Sequence, residues 1–178
     1  MKIILTGSQG TGKSTVLKEF ENGGWNVITE VVRNLSKEGI KINEMGDEEG
    51  QKRIFDTYKE LLNGDEKYVS DRGLTDVAAY TWYLVCKGKV HPSILWEQLE
   101  DIDDFFENNH DALVCYFPIE FPVVDDGVRS VDEEFRKRID NYIKDILDTR
   151  EIPYITVTGT VEERVNQIKN SICASYPL

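Results

Sequence analysis

Short apolar runs alternate along this chain with longer stretches of helical periodicity. Apolar runs of strand length occur at Lys2–Thr6, Trp25–Thr29, Lys67–Ser70, Ala112–Phe117 and Pro153–Thr158. The first is apolar without interruption, as a strand covered on both faces must be. Between them, apolar positions recur every three or four residues, predicting helices over Lys13–Glu21, Val31–Lys37, Glu48–Leu62, Thr75–Cys86, Pro92–Asn108, Asp132–Leu147 and Val161–Cys173. Asn22-Gly23-Gly24 and Asn63-Gly64-Asp65 stop two of these helices. Strands regularly followed by helices predict an α/β fold around a parallel sheet, doubly wound. No repeat or low-complexity linker interrupts the pattern, and 178 residues fit one domain spanning 1–178.

Composition narrows the partners. The net charge is −12, so long phosphate tracks and anionic membranes are repelled, while a single local pocket for a nucleotide is not. Residues Glu97–Asp111 carry seven acidic side chains and no Lys or Arg. They read as the solvated face of a helix whose other face is Leu95, Leu99, Ile102 and Phe106. Cys86, Cys115 and Cys173 show no metal-ligand spacing. Two lie in apolar segments and read as buried free thiols of a reducing compartment. No apolar run reaches membrane-spanning length, and the start of the chain does not read as a signal peptide, so a soluble, cytoplasmic protein with no membrane partner is expected.

One segment carries a specific chemistry. Gly7-Ser8-Gln9-Gly10-Thr11-Gly12-Lys13-Ser14 follows a predicted strand and opens a predicted helix. Glycines at this spacing let the backbone wrap an anion, and the helix N-terminus adds N–H donors and positive potential. Gly7, Gln9, Gly10, Thr11, Gly12, Lys13, Ser14 and Thr15 are therefore expected to cradle the phosphates of ATP, with Lys13 as point charge and Ser14 as a hydroxyl for Mg²⁺. A turn binding nothing would have no use for Lys-Ser at the helix start.

Asp71 ends the third strand at the edge where ligands of such sheets gather, which suits a second ligand to Mg²⁺ or a base, although an Asp there also caps helices. Glu30 ends the second strand in the same way, as a base or as a cap for Val31. Arg33, Arg72, Tyr80 and Trp82 are candidates for the acceptor pocket. Tyr80 and Trp82 stand two apart, so at most one faces it. After the fourth strand, Pro118–Arg138 is expected to form a lid. Arg129, in a Gly-containing loop, is its first candidate to close on phosphates, and Arg136 the next, unless Arg136 pairs with acidic neighbours on a solvated helix. Gly159 follows the fifth strand, where backbone would wrap an adenine or simply start a helix.

These motifs resemble the P-loop nucleoside and nucleotide kinases over the whole chain. Asp71-Arg72 opening a helix with Ala78, Ala79 and Tyr80 is similar to thymidylate kinases. Glu30 with Asp71-Arg72 is similar to deoxynucleoside kinases, in which such a Glu is the base. Gly-Ser-Gln-Gly-Thr-Gly-Lys, Thr29-Glu30-Val31-Val32-Arg33 and Gly159…Glu163-Arg164 also resemble small phage-encoded P-loop proteins, a group including kinases that phosphorylate 5-hydroxymethyluracil in DNA. The resemblance implies strand order 2-3-1-4-5 and transfer of the γ-phosphoryl of ATP to a nucleoside or nucleotide, a pyrimidine deoxynucleotide first. It implies Lys13, Glu30, Asp71, Arg72 and Arg129 as the catalytic set and Ser14 and Asp71 as metal ligands. If the chain is phage-encoded, it would act in the host cytoplasm. The Arg-Glu-Pro-Gly run of thymidylate kinases is missing after the second strand. A base within DNA is the alternative acceptor, and a slow ATP- or GTP-hydrolysing switch the alternative class, although no Asn-Lys-x-Asp guanine signature is present.

Overall fold

The computed structural model describes residues 1–64, 66–122 and 132–175. Five strands, β1 Lys2–Thr6, β2 Asn26–Ile28, β3 Tyr68–Asp71, β4 Leu113–Tyr116 and β5 Tyr154–Thr156, form one parallel sheet in the order β2-β3-β1-β4-β5. Seven helices connect and extend them: α1 Lys13–Asn22, α2 Val31–Lys37, α3 Glu48–Leu62, α4 Leu74–Cys86, α5 Pro92–Asn108, α6 Glu133–Thr149 and α7 Val161–Ser175. This is the P-loop kinase fold. β2 and β5 are shorter than their apolar runs because each is an edge strand with a ladder on one side only.

The period of two in the strands divides the core. Ile4, Tyr68, Val114 and Tyr116 face α3, α4, α5 and α6 in one buried cluster. Ile3, Leu5, Val69, Cys115 and Phe117 face α1 and α7 in the other. The central strand β1 is buried at every position. α4 is buried nearly all round because α3, α5 and α6 pack against it. α5 buries Leu95, Leu99, Ile102 and Phe105, and of its acids Asp101 pairs with Lys59 and Asp103 with Arg150.

One expectation is corrected. Cys115 is buried, but Cys86 and Cys173 are exposed, since Cys86 ends α4 beyond its last buried residue, Leu84. Residues 133–138, the end of the expected lid, begin α6 as the predicted helix over Asp132–Leu147 has it, and Asp132 caps that helix by accepting from the Glu134 and Phe135 amides. The rest of the expected lid, including Arg129, falls mostly outside the described residues. Among the described residues no helix is long and apolar enough to cross a membrane.

Candidate active site

Parallel strands bring all their carboxyl ends to one edge, and the candidate residues collect there. A cavity of 150 Å³ is lined by the loop residues Gln9–Thr15 together with Glu30, Arg33, Asn43, Tyr58, Asp71 and Arg72. The loop before α1 follows from local sterics. Gly7 has φ +140, and a Cβ there would lie 2.4 Å from the Phe117 carbonyl oxygen. Gly12 has φ +90, and its Cβ would meet the Arg164 guanidinium at 2.7 Å. Gly7→Ala is therefore expected to lower stability by about 1–3 kcal/mol and to weaken nucleotide binding. Chemical denaturation and titration with ADP check both, and an unchanged midpoint would contradict this steric account.

Inside the loop, Lys13 is buried and folded back. Its Nζ donates to the carbonyls of Gly7 at 2.6 Å and Ser8 at 2.7 Å, and to Thr11 Oγ1 at 3.2 Å. Ser14 Oγ donates to Asp71 Oδ2 at 2.8 Å, so the two expected metal ligands touch. Tyr58 fixes the strand end below them by donating to the Asp71 carbonyl at 3.1 Å. Burial pushes the Tyr58 hydroxyl pKa up, keeping it a neutral donor.

Backbone strain concentrates in this cavity. The described non-glycine residues with positive φ are Glu30 at 60°, Asn43 at 54°, Arg72 at 87° and Glu151 at 52°. Three of the four line it. Strained backbone of this kind gathers at ligand-binding positions. Glu30 stands at the N-cap of α2, its carbonyl accepting from the Asn34 amide at 2.8 Å, but its side chain makes no cap hydrogen bond. Its carboxylate instead pairs with Arg33 Nε at 3.1 Å, both partly exposed. Arg72 stacks on Tyr80, its guanidinium carbon 5.2 Å from the ring centroid. Burial works against the Arg72 charge, but Tyr80, Asp76, Tyr58 and Asp71 outweigh it and raise its pKa.

A narrower cavity of 30 Å³ continues from the first between Val32, Ile42, Gln51, Ile54, Val77 and Tyr80. Its walls are apolar with a few polar groups, Asn43, Gln51, Arg72 and Tyr80. Of the aromatic pair, Tyr80 faces this cavity and donates to Gln9 Oε1 at 3.1 Å. Trp82 stacks on Tyr142 away from it, with ring centroids 4.8 Å apart. Gly159 lies elsewhere, in an open third cavity that reaches Gly12 and Thr15 and is lined by Glu120, Phe121, Val161 and Arg164. Phe121 and Val161 are exposed there.

Arg136 corrects a further expectation. It is neither in a mobile lid nor on a solvated face but wholly buried. Nε donates to the Gln9 carbonyl at 2.8 Å, NH2 to the Gly10 carbonyl at 3.2 Å, and NH1 to the Phe121 carbonyl at 2.7 Å. Only its pairing with Glu133 was foreseen. Sequence reasoning also missed Asp76. This fully buried carboxylate accepts from the amides of Gly7 at 3.2 Å and Gly73 at 2.9 Å. Burial raises its pKa, against the opposing charges of Lys13 and Arg72. An Asp three residues after a helix cap was the available signal.

Sheet order, strand ends and glycine loop together define a protein of the P-loop kinase fold. Residues 2–164 match the AAA domain family, and the chain belongs to it. No curated protein matches the sequence. Among solved structures, the chain is similar to deoxyadenosine kinase from M. mycoides with dCMP and dCDP bound, with TM-score 0.67 and 17% identity over 99% of this chain and 100% of that one. The same enzyme with bound dCTP gives TM-score 0.62 and 16% identity over 98% and 100%. NadR in complex with NR gives TM-score 0.69 and 13% identity, covering 99% of this chain and 51% of that one. At these identities the likeness is one of fold.

Proposed function

We propose that this chain, one kinase domain over 1–178, transfers the γ-phosphoryl of ATP to a hydroxyl of a nucleoside-type acceptor. The observation that carries the reading is that Glu30, Asp71 and Arg72 line the same cavity as Gln9–Thr15. A carboxylate for a proton and cations for phosphates then meet at one place. The solved structures of similar fold include a deoxyadenosine kinase, which supports a nucleoside-type acceptor.

The loop amides bind the phosphate chain, and Lys13 turns from the Gly7 and Ser8 carbonyls to the β- and γ-phosphates. The acceptor oxygen attacks the γ-phosphorus, its O–P bond forms, and the bond to the β-phosphate oxygen breaks. Glu30 takes the acceptor proton, and ADP leaves. Arg72, held on Tyr80, and Arg129 of the proposed lid compensate the charge on the transferring group. Gly159 and the third cavity would receive the adenine.

Ser14 Oγ and Asp71 Oδ2 are hard oxygen donors in contact, and they fit Mg²⁺, which takes few protein ligands beside phosphates and waters. Among the described residues no set of three or more His, Cys, Asp or Glu side chains gathers into a metal-holding group. Ser14 and Asp71 would therefore hold the ion jointly with the nucleotide. When bound, it would supply charge neutralisation to the phosphates.

Labelled ATP offered with deoxynucleosides, deoxynucleoside monophosphates and 5-hydroxymethyluracil-containing DNA tests the proposal. Transfer to a free nucleoside is the expected result, with pyrimidine and purine forms compared. Label appearing only on monophosphates, or only on DNA, would replace the acceptor. Release of inorganic phosphate alone would return the site to a hydrolysing switch.

A further inference from the structure

Two buried arginines grip the glycine loop from behind. Arg136 of α6 is wholly buried and takes the carbonyls of Gln9 and Gly10. Arg164 of α7 is 2% exposed and takes the carbonyl of Thr11 at 2.6 Å. Three successive peptide carbonyls of the loop are thus held by guanidinium groups. Both arginines also hold the segment after β4. Arg136 donates to the Phe121 carbonyl, and Arg164 pairs with Glu120 and lies 5.0 Å from the Phe121 ring centroid and 5.4 Å from that of Phe117. The fit to the loop is close, since the Arg164 guanidinium occupies the place where Gly12 would carry a Cβ.

The planar trans peptide converts this grip into a statement about the cavity side. In each peptide unit the C=O and the following N–H point in opposite directions. Holding the carbonyls of Gln9, Gly10 and Thr11 on the protein side turns the N–H groups of Gly10, Thr11 and Gly12 to the other side. Those three residues line the candidate phosphate site. We infer that Arg136 and Arg164 are positioning residues that preset the loop amides for a polyphosphate, acting through the backbone without touching the phosphates, although Arg164 also edges the third cavity. The inference rests on the kinase reading of this site.

Lysine in either place keeps the charge but loses the planar fork that reaches several acceptors at once. Arg136→Lys and Arg164→Lys are therefore titrated with ADP and with AMP in Mg²⁺ buffer, alongside melting temperatures. Loss of charge-assisted hydrogen bonds to the loop is expected to weaken ADP about 10- to 100-fold. AMP, lacking the β-phosphate that the loop would hold, should change less than about twofold in Arg136→Lys and less than ADP does in Arg164→Lys, whose side chain also edges the third cavity, so the preference for ADP falls in both. A residue that merely stabilises the fold would lower the melting temperature and leave that preference intact, and this outcome overturns the inference. Parallel weakening of ADP and AMP would overturn it too. A second measurement needs no variant: in the wild type, the amide proton signals of Gly10, Thr11 and Gly12 should shift on adding ADP. Silence of all three, with ADP bound, defeats the inference even if the variants do not fold. Absence of any ADP binding by the wild type defeats the kinase reading, and this inference with it.

Discussion

Lys13→Ala is expected to abolish phosphoryl transfer while leaving the fold in place. Its ammonium is the one cation supplied by the loop itself, and it sits within reach of any phosphate bound by residues 9–15. Removing one preorganised electrostatic contact costs roughly 3–4 kcal/mol in the transition state, or about 10²–10³ in kcat, and a charge opposite the transferring group loses at least that. Steady-state transfer from labelled ATP measures it, and near-wild-type turnover would remove the loop from the chemistry. The same change has a stability signature with a definite sign. Asp76 is fully buried beneath the loop, burial raises its pKa, and Lys13 is the largest influence opposing that rise. Without Lys13 the folded-state pKa of Asp76 climbs further. A carboxyl with a raised folded pKa contributes stability at low pH that is lost as pH rises through that pKa. The melting temperature of Lys13→Ala should therefore approach that of the wild type in acid and fall away from it toward neutral and alkaline pH. A constant gap across pH would show that Asp76 does not depend on Lys13.

The sheet and its helices were legible because the two periods seldom overlap here. β1 is uninterrupted and apolar, and α3, α5 and α6 carry clear stripes, so strand number and helix placement follow from local pattern alone. Strand order does not, since it depends on which crossovers pass over which face. The conformation of the glycine loop was legible because it is written into eight consecutive residues, whose Gly7, Gly10 and Gly12 all take positive φ. Asp71 and Glu30 were legible as strand-end carboxylates, and the positive φ at Glu30 adds a reason that composition could not supply.

The arginines behind the loop were not read correctly, for a physical reason. Arg136 stands in Glu133-Glu134-Phe135-Arg136-Lys137-Arg138, where two acidic residues precede three basic ones as on a solvated helix. Its partners in the glycine loop lie more than a hundred residues away, so no local spacing announces them. A weak signal existed, since Arg136, Ile139 and Ile143 share one helical face, and both isoleucines are buried. Arg164 likewise precedes buried Val165 and shares a face with buried Ile168. An arginine in register with a buried stripe asks what acceptors it can find inside, and here they are loop carbonyls.

The acceptor chemistry turns on Glu30. A phosphate acceptor arrives ionised and needs cations but no base, whereas a hydroxyl acceptor has a proton to lose within hydrogen-bond reach of a base. The cavity offers both kinds of group, with Arg33 and Arg72 beside Glu30 and Asp71. Glu30 is held in a left-handed backbone conformation at the N-cap of α2, and its carboxylate pairs with Arg33 rather than with the helix amides. At the proposed phosphate-transfer site, a strained carboxylate has little purpose beside a dianion, which it repels, and a clear one beside a neutral hydroxyl. Glu30→Gln keeps the shape and much of the hydrogen bonding but cannot accept the proton. It is expected to lower kcat by about two orders of magnitude or more, the usual loss when a general base is removed, with ADP affinity nearly unchanged because the loop contacts are untouched. Arg33→Ala frees the Glu30 carboxylate from its partner and should act mainly on KM for the acceptor, a different split between the two constants. If Glu30→Gln turns over at the wild-type rate while Arg33→Ala and Arg72→Ala raise the acceptor KM, the acceptor is a phosphate. If Asp71→Asn is tolerated as well, no carboxylate of this cavity is acting as a base, and the hydroxyl reading is refuted.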